Sequence, residues 1–298
     1  IITGKLQMDE LAMGSTSVNP HDGPARNPWN LERITGGSSG GSAALVASGV
    51  VPLAHSNDGG GSTRIPASCC GNLGLKTSRG RVSLGPIMND VSSPLIAEGC
   101  NSRTVRDTAA FLDAVSKPAA GEGVMNSFIQ ESFLAGLEKA PETYSIAVSF
   151  DDWGSGPLES GIRDELERIA QSLREKGHKV EEATPTAVQA DYFDAFKVLW
   201  YSLAHFVVHS VAPMTNRTPD SSTLESITLK MVREGEKVTG FDVNQTMALS
   251  NQMSREFGEF FHNWDLLLTP TFIKGTPKVG GSITLNSDVS LEQWFDEA

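Results

Sequence analysis

The sequence predicts an α/β fold with a largely parallel β-sheet. Three observations indicate this class. A strand, an amphipathic helix and a second strand follow one another over residues 144–182. A helix of small residues leads into an apolar strand over 42–55, and a mostly helical stretch over 190–262 ends in an apolar strand at 265–269. Such alternation of strands and helices is typical of a largely parallel sheet.

The N-terminal part of the chain predicts short elements separated by glycine and proline. Residues 9–13 predict a helix that is followed by a loop. The small residues of 42–49 predict a helix that packs closely against its neighbours, and residues 50–55 predict a short buried strand. Residues 71–84 are predicted to be strand and loop.

The helix predicted over residues 102–115 is amphipathic. Ser102 fits its N-cap, because a serine hydroxyl can accept a hydrogen bond from a backbone amide of the first helical turn. One face of this helix carries apolar residues at helical spacing: Val105, Ala109, Leu112 and Val115.

A βαβ unit is predicted next. Residues 144–150 alternate as a strand does, and residues 178–182 predict a second strand. The helix between them, residues 163–176, is followed by Gly177, which can adopt the left-handed conformation that ends a helix. Its inner face is formed by Ile162, Leu166, Ile169 and Leu173.

No internal repeat or linker divides the sequence, so we expect one domain over residues 1–298. Its core would be residues 1–115, and a variable helical region, about 117–262, would shape a substrate pocket. The chain begins Ile-Ile-Thr-Gly without an initiator methionine and ends without a helix stop or turn signal. We therefore expect a central fragment that is truncated at both ends.

Charge and hydropathy exclude several classes of partner. The net charge is −12, the isoelectric point is near 5.0, and lysine and arginine form no run. Binding to nucleic acid or to an anionic membrane needs clustered cations, so neither partner is expected. The longest apolar stretch, residues 43–54, is interrupted by Ser48, Gly49 and Pro52 and is too short to span a bilayer.

Three cysteines, Cys69, Cys70 and Cys100, show no spacing typical of a disulfide framework or a zinc site. This usage fits a reducing compartment, so we expect a cytoplasmic protein, although the true N-terminus lies outside the chain. Cys69 and Cys70 are interpreted as packing residues. His205 and His209, four residues apart, are interpreted as ordinary residues of one helix face, because the HExxH pattern fails.

Two glycine-serine clusters carry the chemical signal. Residues 36–42 read GGSSGGS and residues 58–62 read DGGGS. Flexible linkers are a poor interpretation, since structured sequence follows each cluster. A phosphate-binding loop is excluded by the absence of Gly-Lys-Ser/Thr and of a GxGxxG that opens a helix.

The first cluster also matches the GxSxG pattern of serine esterases, with Ser38 as the nucleophile. That motif requires a buried strand directly before it, and residues 27–35 do not predict one. An esterase of this kind is kept as an alternative.

Taken together, the clusters and their surroundings resemble the amidase signature family. The resemblance rests on residues 36–42, on 58–67 (DGGGSTRIPA) and on 70–76 (CGNLGLK). Further similarity lies in residues 4–14, 26–30, 106–107 and 268–271. The sequence from 74 to 86 is more similar to free-standing bacterial amidases, including the hydrolases of cyclic-amide oligomers, than to the A subunit of tRNA-dependent amidotransferases.

The resemblance implies an amidase signature fold, an α/β fold with a mixed central β-sheet covered by helices on both faces. It also implies hydrolysis of a carboxylic amide through an acyl-serine intermediate. Ser62 would be the nucleophile and Ser38 the cis-serine of a Ser–cis-Ser–Lys triad. A serine hydroxyl needs a positioned base to react, and here Ser38 would relay the proton. The oxyanion hole would be formed by the backbone amides of Gly59, Gly60 and Gly61, with Asp58, Arg64 and Ser39 in supporting roles.

The resemblance also implies where the triad is incomplete. The family's catalytic lysine lies far upstream of the cis-serine, before residue 1 of this chain. Lys5 and Lys76 match other, non-catalytic lysines of the family. We therefore expect the fragment alone to be inactive or nearly so.

The remaining implications concern partners. The substrate would be a small-molecule amide, with neither a metal nor an organic cofactor, and a homodimer is kept as a hypothesis. The alternatives to a free-standing amidase are the A subunit of a tRNA-dependent amidotransferase, the esterase with Ser38 as nucleophile, and a non-catalytic amidase-like binding protein.

Overall fold

The structure is a computed structural model. It describes residues 2–86, 88, 94–117, 119–122, 131–139, 142–151, 153, 156–186 and 190–297, with side chains from residue 192 onward in the last range. The chain divides into two compact units. The first unit comprises Ile1–Lys139, Leu203–Arg233 and Thr276–Ala298, and the second comprises Ala140–Ser202 and Glu234–Gly275.

The first unit begins with short strands that form two hairpins. Strands β1 (Val18–Asn19) and β2 (Gly23–Pro24) pair antiparallel, as do β3 (Arg26–Asn27) and β4 (Asn30–Ile34). The helix predicted over residues 9–13 is wrong: only a 3₁₀ turn forms, Glu10–Ala12. A helix cannot form there because the backbones of residues 11 and 12 have positive φ.

The strand β4 corrects a second expectation, because residues 27–35 did not predict one. Its first three residues are exposed, so the strand has no continuous apolar face that a sequence pattern could reveal. Only Ile34, at its end, is fully buried.

A helix and a three-stranded antiparallel sheet follow. Helix α1 (Gly40–Ala47) packs on β5 (Leu53–Asp58), and β5 leads into helix α2 (Arg64–Cys70). Strand β5 starts three residues later than predicted. The reason is that Val50 still bonds to the end of α1, through its amide and the Leu45 carbonyl (3.0 Å).

The central strand of this sheet is β7 (Ala97–Ser102), which lies between β5 and β6 (Leu73–Gly74). No sequence pattern predicted β7, because its residues are mostly small and polar rather than β-branched or aromatic. It is nevertheless buried along nearly its whole length. Tertiary burial therefore decides its conformation.

Helix α3 (Val105–Val115) confirms the predicted helix but not its cap. Ser102 is the last residue of β7, and its hydroxyl bonds to the hydroxyl of Thr108 (2.7 Å). The N-cap is Thr104, whose hydroxyl accepts from the amide of Asp107 (3.0 Å). Val105 is 57% exposed and does not belong to the inner face. Among the described residues of this unit, two further short helices are α4 (Phe133–Gly136) and α9 (Leu291–Glu297). Much of the variable connection predicted at 117–143 lies outside the described residues.

The second unit confirms the predicted βαβ unit. Strand β8 (Ser145–Val148), helix α5 (Ser160–Glu175) and strand β9 (Lys179–Glu182) follow in order, and the two strands are parallel. Gly177 has φ +93° after the helix, as its position predicts. Strand β10 (Leu266–Leu268) extends the sheet on the other side of β8, also in parallel. The strand predicted as buried is only half-buried, since Leu266 is 47% exposed.

The core of this sheet and α5 is apolar, and each side chain that is fully removed from water contributes about 1.5–3 kcal/mol. It consists of Ile146, Val148, Leu166, Ala170 and Val180, with Phe150, Leu173 and Leu268 packed against them. Three further helices account for most of residues 190–262, as predicted: α6 (Ala190–Thr215), α7 (Ser226–Gly235) and α8 (Gly240–Phe260). The α/β class is confirmed, and the parallel and antiparallel strands lie in separate sheets within the described residues.

Candidate active site

The two glycine-serine clusters meet in the first unit. The first cluster runs into the N-terminus of α1, and the second forms the turn between β5 and α2. The amide of Ser39 donates a hydrogen bond to the carbonyl of Ser62 (3.3 Å). Both candidate serines are buried, since Ser38 is 0% and Ser62 is 5% exposed.

Ser38 follows a cis peptide bond, Gly37–Ser38. Its carbonyl accepts a hydrogen bond from the hydroxyl of Ser17 (2.8 Å). Its own hydroxyl oxygen is buried and has no hydrogen-bond partner among the residues that the structure describes. A buried hydroxyl without a partner is costly and points to a polar group that this part of the chain does not supply.

The turn that carries Ser62 is built around the carboxylate of Asp58, which is fully buried at the end of β5. The guanidinium of Arg64 contacts both carboxylate oxygens, Nε to Oδ2 at 2.8 Å and Nη2 to Oδ1 at 2.9 Å. The amides of Gly61 (2.8 Å) and Thr63 (3.3 Å) also donate to it. These bonds fix the backbone on both sides of Ser62.

Electrostatics keep this carboxylate ionised. Burial by itself raises the pKa of Asp58, but the hydrogen bonds and charge of Arg64 and the charge of Lys76 outweigh it and lower the pKa to about 2. Asp58 is therefore ionised at neutral pH and accepts hydrogen bonds from several donors. A group with so low a pKa is a poor proton acceptor.

Lys76 is the second cation that contacts Asp58, and the sequence analysis gave this lysine no catalytic role. Its ammonium has three acceptors: Asp58 Oδ1 (3.1 Å) and the carbonyls of Gly59 (3.3 Å) and Leu95 (2.7 Å). Burial outweighs the charge and hydrogen bond of Asp58, so the pKa of Lys76 lies below its usual value. An ammonium with all three protons donated is a structural cation rather than a base.

The glycines of the second cluster differ from one another. Gly61 has φ +125°, a conformation that side chains rarely adopt, and its amide is directed to Asp58. Gly59 is half-buried and Gly60 is exposed. Because the Gly61 amide already donates to a carboxylate, it is less available to a substrate oxygen than the amides of Gly59 and Gly60.

A third segment, residues 9–17, contacts the first glycine-serine cluster, and the sequence analysis did not assign it a role. Asp9 is 1% exposed, and its carboxylate accepts from the amides of Thr16 (3.1 Å) and Ser17 (2.8 Å). Burial raises the pKa of Asp9, and the bonds from Ser17, Thr16 and Val18 lower it. The signal for this loop is weak, because Asp, Ser and Thr are common in any turn.

The esterase alternative fails on local geometry. A strand, β4, does end two residues before Gly36, and helix α1 follows the motif. However, β4 belongs to a two-stranded antiparallel hairpin whose first residues are exposed. A nucleophile elbow requires a buried sheet strand directly before the serine, and this exposed hairpin does not supply one.

The cysteines are buried free thiols. Burial raises the pKa of Cys69 to about 11 and that of Cys70 to about 12, so both are protonated at neutral pH. A buried, protonated thiol is unreactive, which agrees with their interpretation as packing residues. His205 and His209 lie side by side along α6, with ring centroids 4.4 Å apart and ring planes tilted by 45°.

Comparison with known proteins places the chain in a family. The family model named Amidase matches residues 1–296. The chain belongs to the amidase signature family. The protein AmiC of Mycobacterium tuberculosis is 36% identical over 287 residues, which cover 93% of this chain and 57% of AmiC. The 6-aminohexanoate-cyclic-dimer hydrolase of a Pseudomonas species is 32% identical over 289 residues, which cover 94% of this chain and 58% of the hydrolase.

Solved structures give the same result for the fold. A structure of 6-aminohexanoate cyclic dimer hydrolase superimposes with a TM-score of 0.92 at 30% identity, over 98% of this chain and 62% of the other. The chain thus has the amidase signature fold and spans only about three fifths of the length of these relatives. Within the described ranges, none of the helices combines the length and the apolar character needed to cross a bilayer.

Proposed function

We propose that the protein containing this amidase chain hydrolyses carboxylic amides through an acyl-Ser62 intermediate. The observation that carries the proposal is the hydrogen bond from the Ser39 amide to the Ser62 carbonyl (3.3 Å). It supports the proposal because it joins the backbone of Ser62 to the residue after Ser38 in a buried region, where two hydroxyls that approach each other can exchange a proton without competition from water.

The proposed reaction has two halves. Ser62 Oγ attacks the amide carbonyl carbon while its proton passes to Ser38 Oγ, and the proton of Ser38 passes to a neutral base. The base then returns a proton through Ser38 to the leaving nitrogen, so that the C–N bond breaks and an amine departs. Water attacks the acyl ester in the same way, releasing the carboxylic acid and restoring Ser62.

The base in this scheme is a lysine that lies outside the chain, as the resemblance to the family implies. Two observations support this assignment. Ser38 Oγ is buried and has no partner among the described residues. The Nζ of Lys76 is directed to three acceptors around Asp58, Gly59 and Leu95, which assigns it to holding this turn.

Negative charge on the tetrahedral oxygen would be stabilised by backbone amides of the Ser62 turn. Because the Gly61 amide is directed to Asp58, we assign the principal donors to Gly59 and Gly60, with Gly61 in a secondary role. Loss of one such donor typically costs about 2.7–4 kcal/mol in the transition state. Asp58 and Arg64 would hold the turn, and Ser39 would tie it to the first cluster.

We assign the substrate to small linear or cyclic amides. A relative that is 32% identical over 94% of this chain carries the name of a cyclic-dimer hydrolase, which favours that class. The three buried free thiols fit the proposed cytoplasmic location. The homodimer hypothesis is testable by light scattering.

The test is acyl transfer to hydroxylamine by the full-length protein. A panel of linear and cyclic amides is incubated with hydroxylamine, and the hydroxamic acid is detected by its iron(III) complex. We expect hydroxamate from at least one amide, and none from Ser62→Ala. Unchanged hydroxamate formation by Ser62→Ala, or amide hydrolysis by wild type without hydroxamate, would contradict the acyl-Ser62 proposal.

A further inference from the structure

The hydroxyl of Ser17 makes two hydrogen bonds inside the candidate site. It donates to the carbonyl of Ser38 (2.8 Å) and accepts from the amide of Gly40 (2.8 Å). All three residues are buried, so solvent does not compete for these bonds. One side chain therefore connects the residue proposed to relay the proton with the start of α1.

The second of these bonds replaces a missing helix cap. The first amides of a helix have no partner within it and are usually capped by the N-cap side chain. The N-cap of α1 is Ser39, whose side chain makes no capping bond. Instead, the hydroxyl of Ser17, which lies in a separate loop, accepts from the Gly40 amide. Because the same hydroxyl also donates to the Ser38 carbonyl, it helps to hold the backbone from Ser38 to Gly40 in its orientation.

The position of Ser17 is itself fixed by the backbone and by Asp9. Ser17 has φ +53°, which few side-chain-bearing residues adopt. Its amide donates to Asp9 Oδ2 (2.8 Å), and the same carboxylate is held by the amide and hydroxyl of Thr16 (3.1 and 2.9 Å). Asp9 also packs directly against Gly37, where an added Cβ would lie 2.1 Å from Asp9 Oδ2.

We propose that Ser17, held in place by Asp9, is a positioning residue that sets the orientation of Ser38 for proton transfer with Ser62. The inference rests on the proposed function. Proton transfer between two hydroxyls needs them within about 2.6–3.2 Å of each other. A displacement of about 1 Å can lower a rate by about 100-fold. We therefore expect loss of the Ser17 hydroxyl to lower turnover rather than to weaken substrate binding.

The experiment compares Ser17→Gly with Ser48→Ala in the full-length protein. Glycine suits the positive φ of this position, so Ser17→Gly removes the hydroxyl without straining the backbone. Ser48 lies at the other end of α1, where its hydroxyl bonds to the Ala44 carbonyl (2.7 Å), and it is the matched control. The substrate is whichever amide of the panel the wild type hydrolyses.

We expect Ser17→Gly to lower kcat by roughly 10–100-fold with KM within about twofold of wild type. The rate of fluorophosphonate labelling of Ser62 should fall in parallel, and the thermal midpoint should stay close to that of Ser48→Ala. Ser17→Ala, which keeps a side chain, should show the same split between kcat and KM.

Two results would overturn the inference. One is a kcat for both Ser17 variants equal to that of Ser48→Ala. The other is a loss of kcat that equals the fraction of unfolded protein measured under the assay conditions, because unfolded molecules lower the apparent kcat in proportion and leave KM unchanged. Failure of the proposed function is distinguishable, since the wild type would then neither turn over an amide nor become labelled at Ser62.

Discussion

The amide of Ser39 donates a hydrogen bond to the carbonyl of Ser62 at 3.3 Å, and this bond joins two glycine-serine clusters that lie apart in the sequence. Its two residues are embedded in different elements, one at the start of α1 and one in the turn between β5 and α2. The site therefore depends on how the backbones of both clusters are held, and the following predictions address that support.

Gly37 has no room for a side chain. A Cβ there would lie 2.1 Å from Asp9 Oδ2 and 2.5 Å from the Thr16 amide, and backbone cannot give way cheaply. We expect Gly37→Ala to lower the free energy of unfolding by about 1–3 kcal/mol and to abolish amide hydrolysis, because Ser38 must move. Urea unfolding and a turnover assay measure the two effects.

The matched control is Gly258→Ala, in the exposed part of α8 with nothing within 4 Å of the added Cβ. It should raise the stability by up to about 1 kcal/mol and leave turnover unchanged. If Gly37→Ala behaved like this control, the close packing of Asp9 against Gly37 would be wrong.

Asp58→Asn should destabilise the protein by about 3 kcal/mol near neutral pH, because Arg64 and Lys76 then lose their buried counter-charge. The folded pKa of Asp58 is lowered to about 2, below the value of about 3.9 in the unfolded chain. Its contribution to stability is thus present above pH 4 and is lost as the pH falls towards 2. Urea unfolding at pH 7, 4 and 2.5 should show the difference between wild type and variant shrinking at the acid end.

Asp22→Asn is the control for that series, because Asp22 is exposed in the β1–β2 turn. Its unfolding curve should overlay that of the wild type at each pH. A difference between wild type and Asp58→Asn that stayed constant from pH 7 to 2.5 would refute the ionised state assigned to Asp58.

The side chain of Glu225 should make the free energy of unfolding depend on pH in the direction opposite to that expected for Asp58. It is 7% exposed, and burial together with the charges of Glu10 and Asp9 raises its pKa to about 7. Because the folded pKa lies above the unfolded value of about 4.3, its contribution is present below pH 4 and is lost as the pH rises through about 7. Glu225→Gln should therefore be more stable than wild type at pH 8, by on the order of 2 kcal/mol, and about equal at pH 4.5.

Denaturant titrations at pH 4.5, 6 and 8 measure this, with exposed Glu32→Gln as the control. The prediction fails if Glu225→Gln and wild type have parallel pH profiles.

The cysteines should not take part in the reaction. Burial raises the pKa of Cys100 to about 11, as it does for Cys69 and Cys70, so thiolate is scarce at pH 7.5. We expect iodoacetamide at that pH to leave amide turnover unchanged, and all three thiols to react once urea unfolds the protein. Rapid inactivation by iodoacetamide, with protection by substrate, would contradict the assignment of the nucleophile to serine.

The sequence predicted those parts of the fold whose pattern is local. The strand–helix–strand unit around α5 was predicted correctly because its apolar residues recur at helical spacing and Gly177 marks the end. Strand β7 and the cap of α3 were missed, since small buried residues such as Gly99 and Asn101 carry no periodic signal. Their conformation is decided by neighbours that are distant in sequence.

The candidate site divides in the same way. The serine clusters stood out as motifs, and their match to a known family suggested roles for Ser38 and Ser62. The hydroxyl of Ser17 could not be predicted, because its two partners are identified only when the loop at 9–17 packs on α1. The hydrogen bond from the Gly61 amide to Asp58 could not be predicted either, because a sequence does not show which backbone amides donate to a given carboxylate.

The central claim is that Ser62 is the nucleophile and Ser38 its proton relay. The most direct test is peptide mass spectrometry after treatment with a fluorophosphonate probe, on the full-length protein and on residues 1–298 alone. We expect an adduct on Ser62 of the full-length protein, none on Ser62→Ala, and none on the shorter chain, whose base is proposed to lie upstream. An adduct on Ser38 would contradict the account and restore Ser38 as the nucleophile, and a folded full-length protein with no adduct on either serine would contradict catalysis by this site.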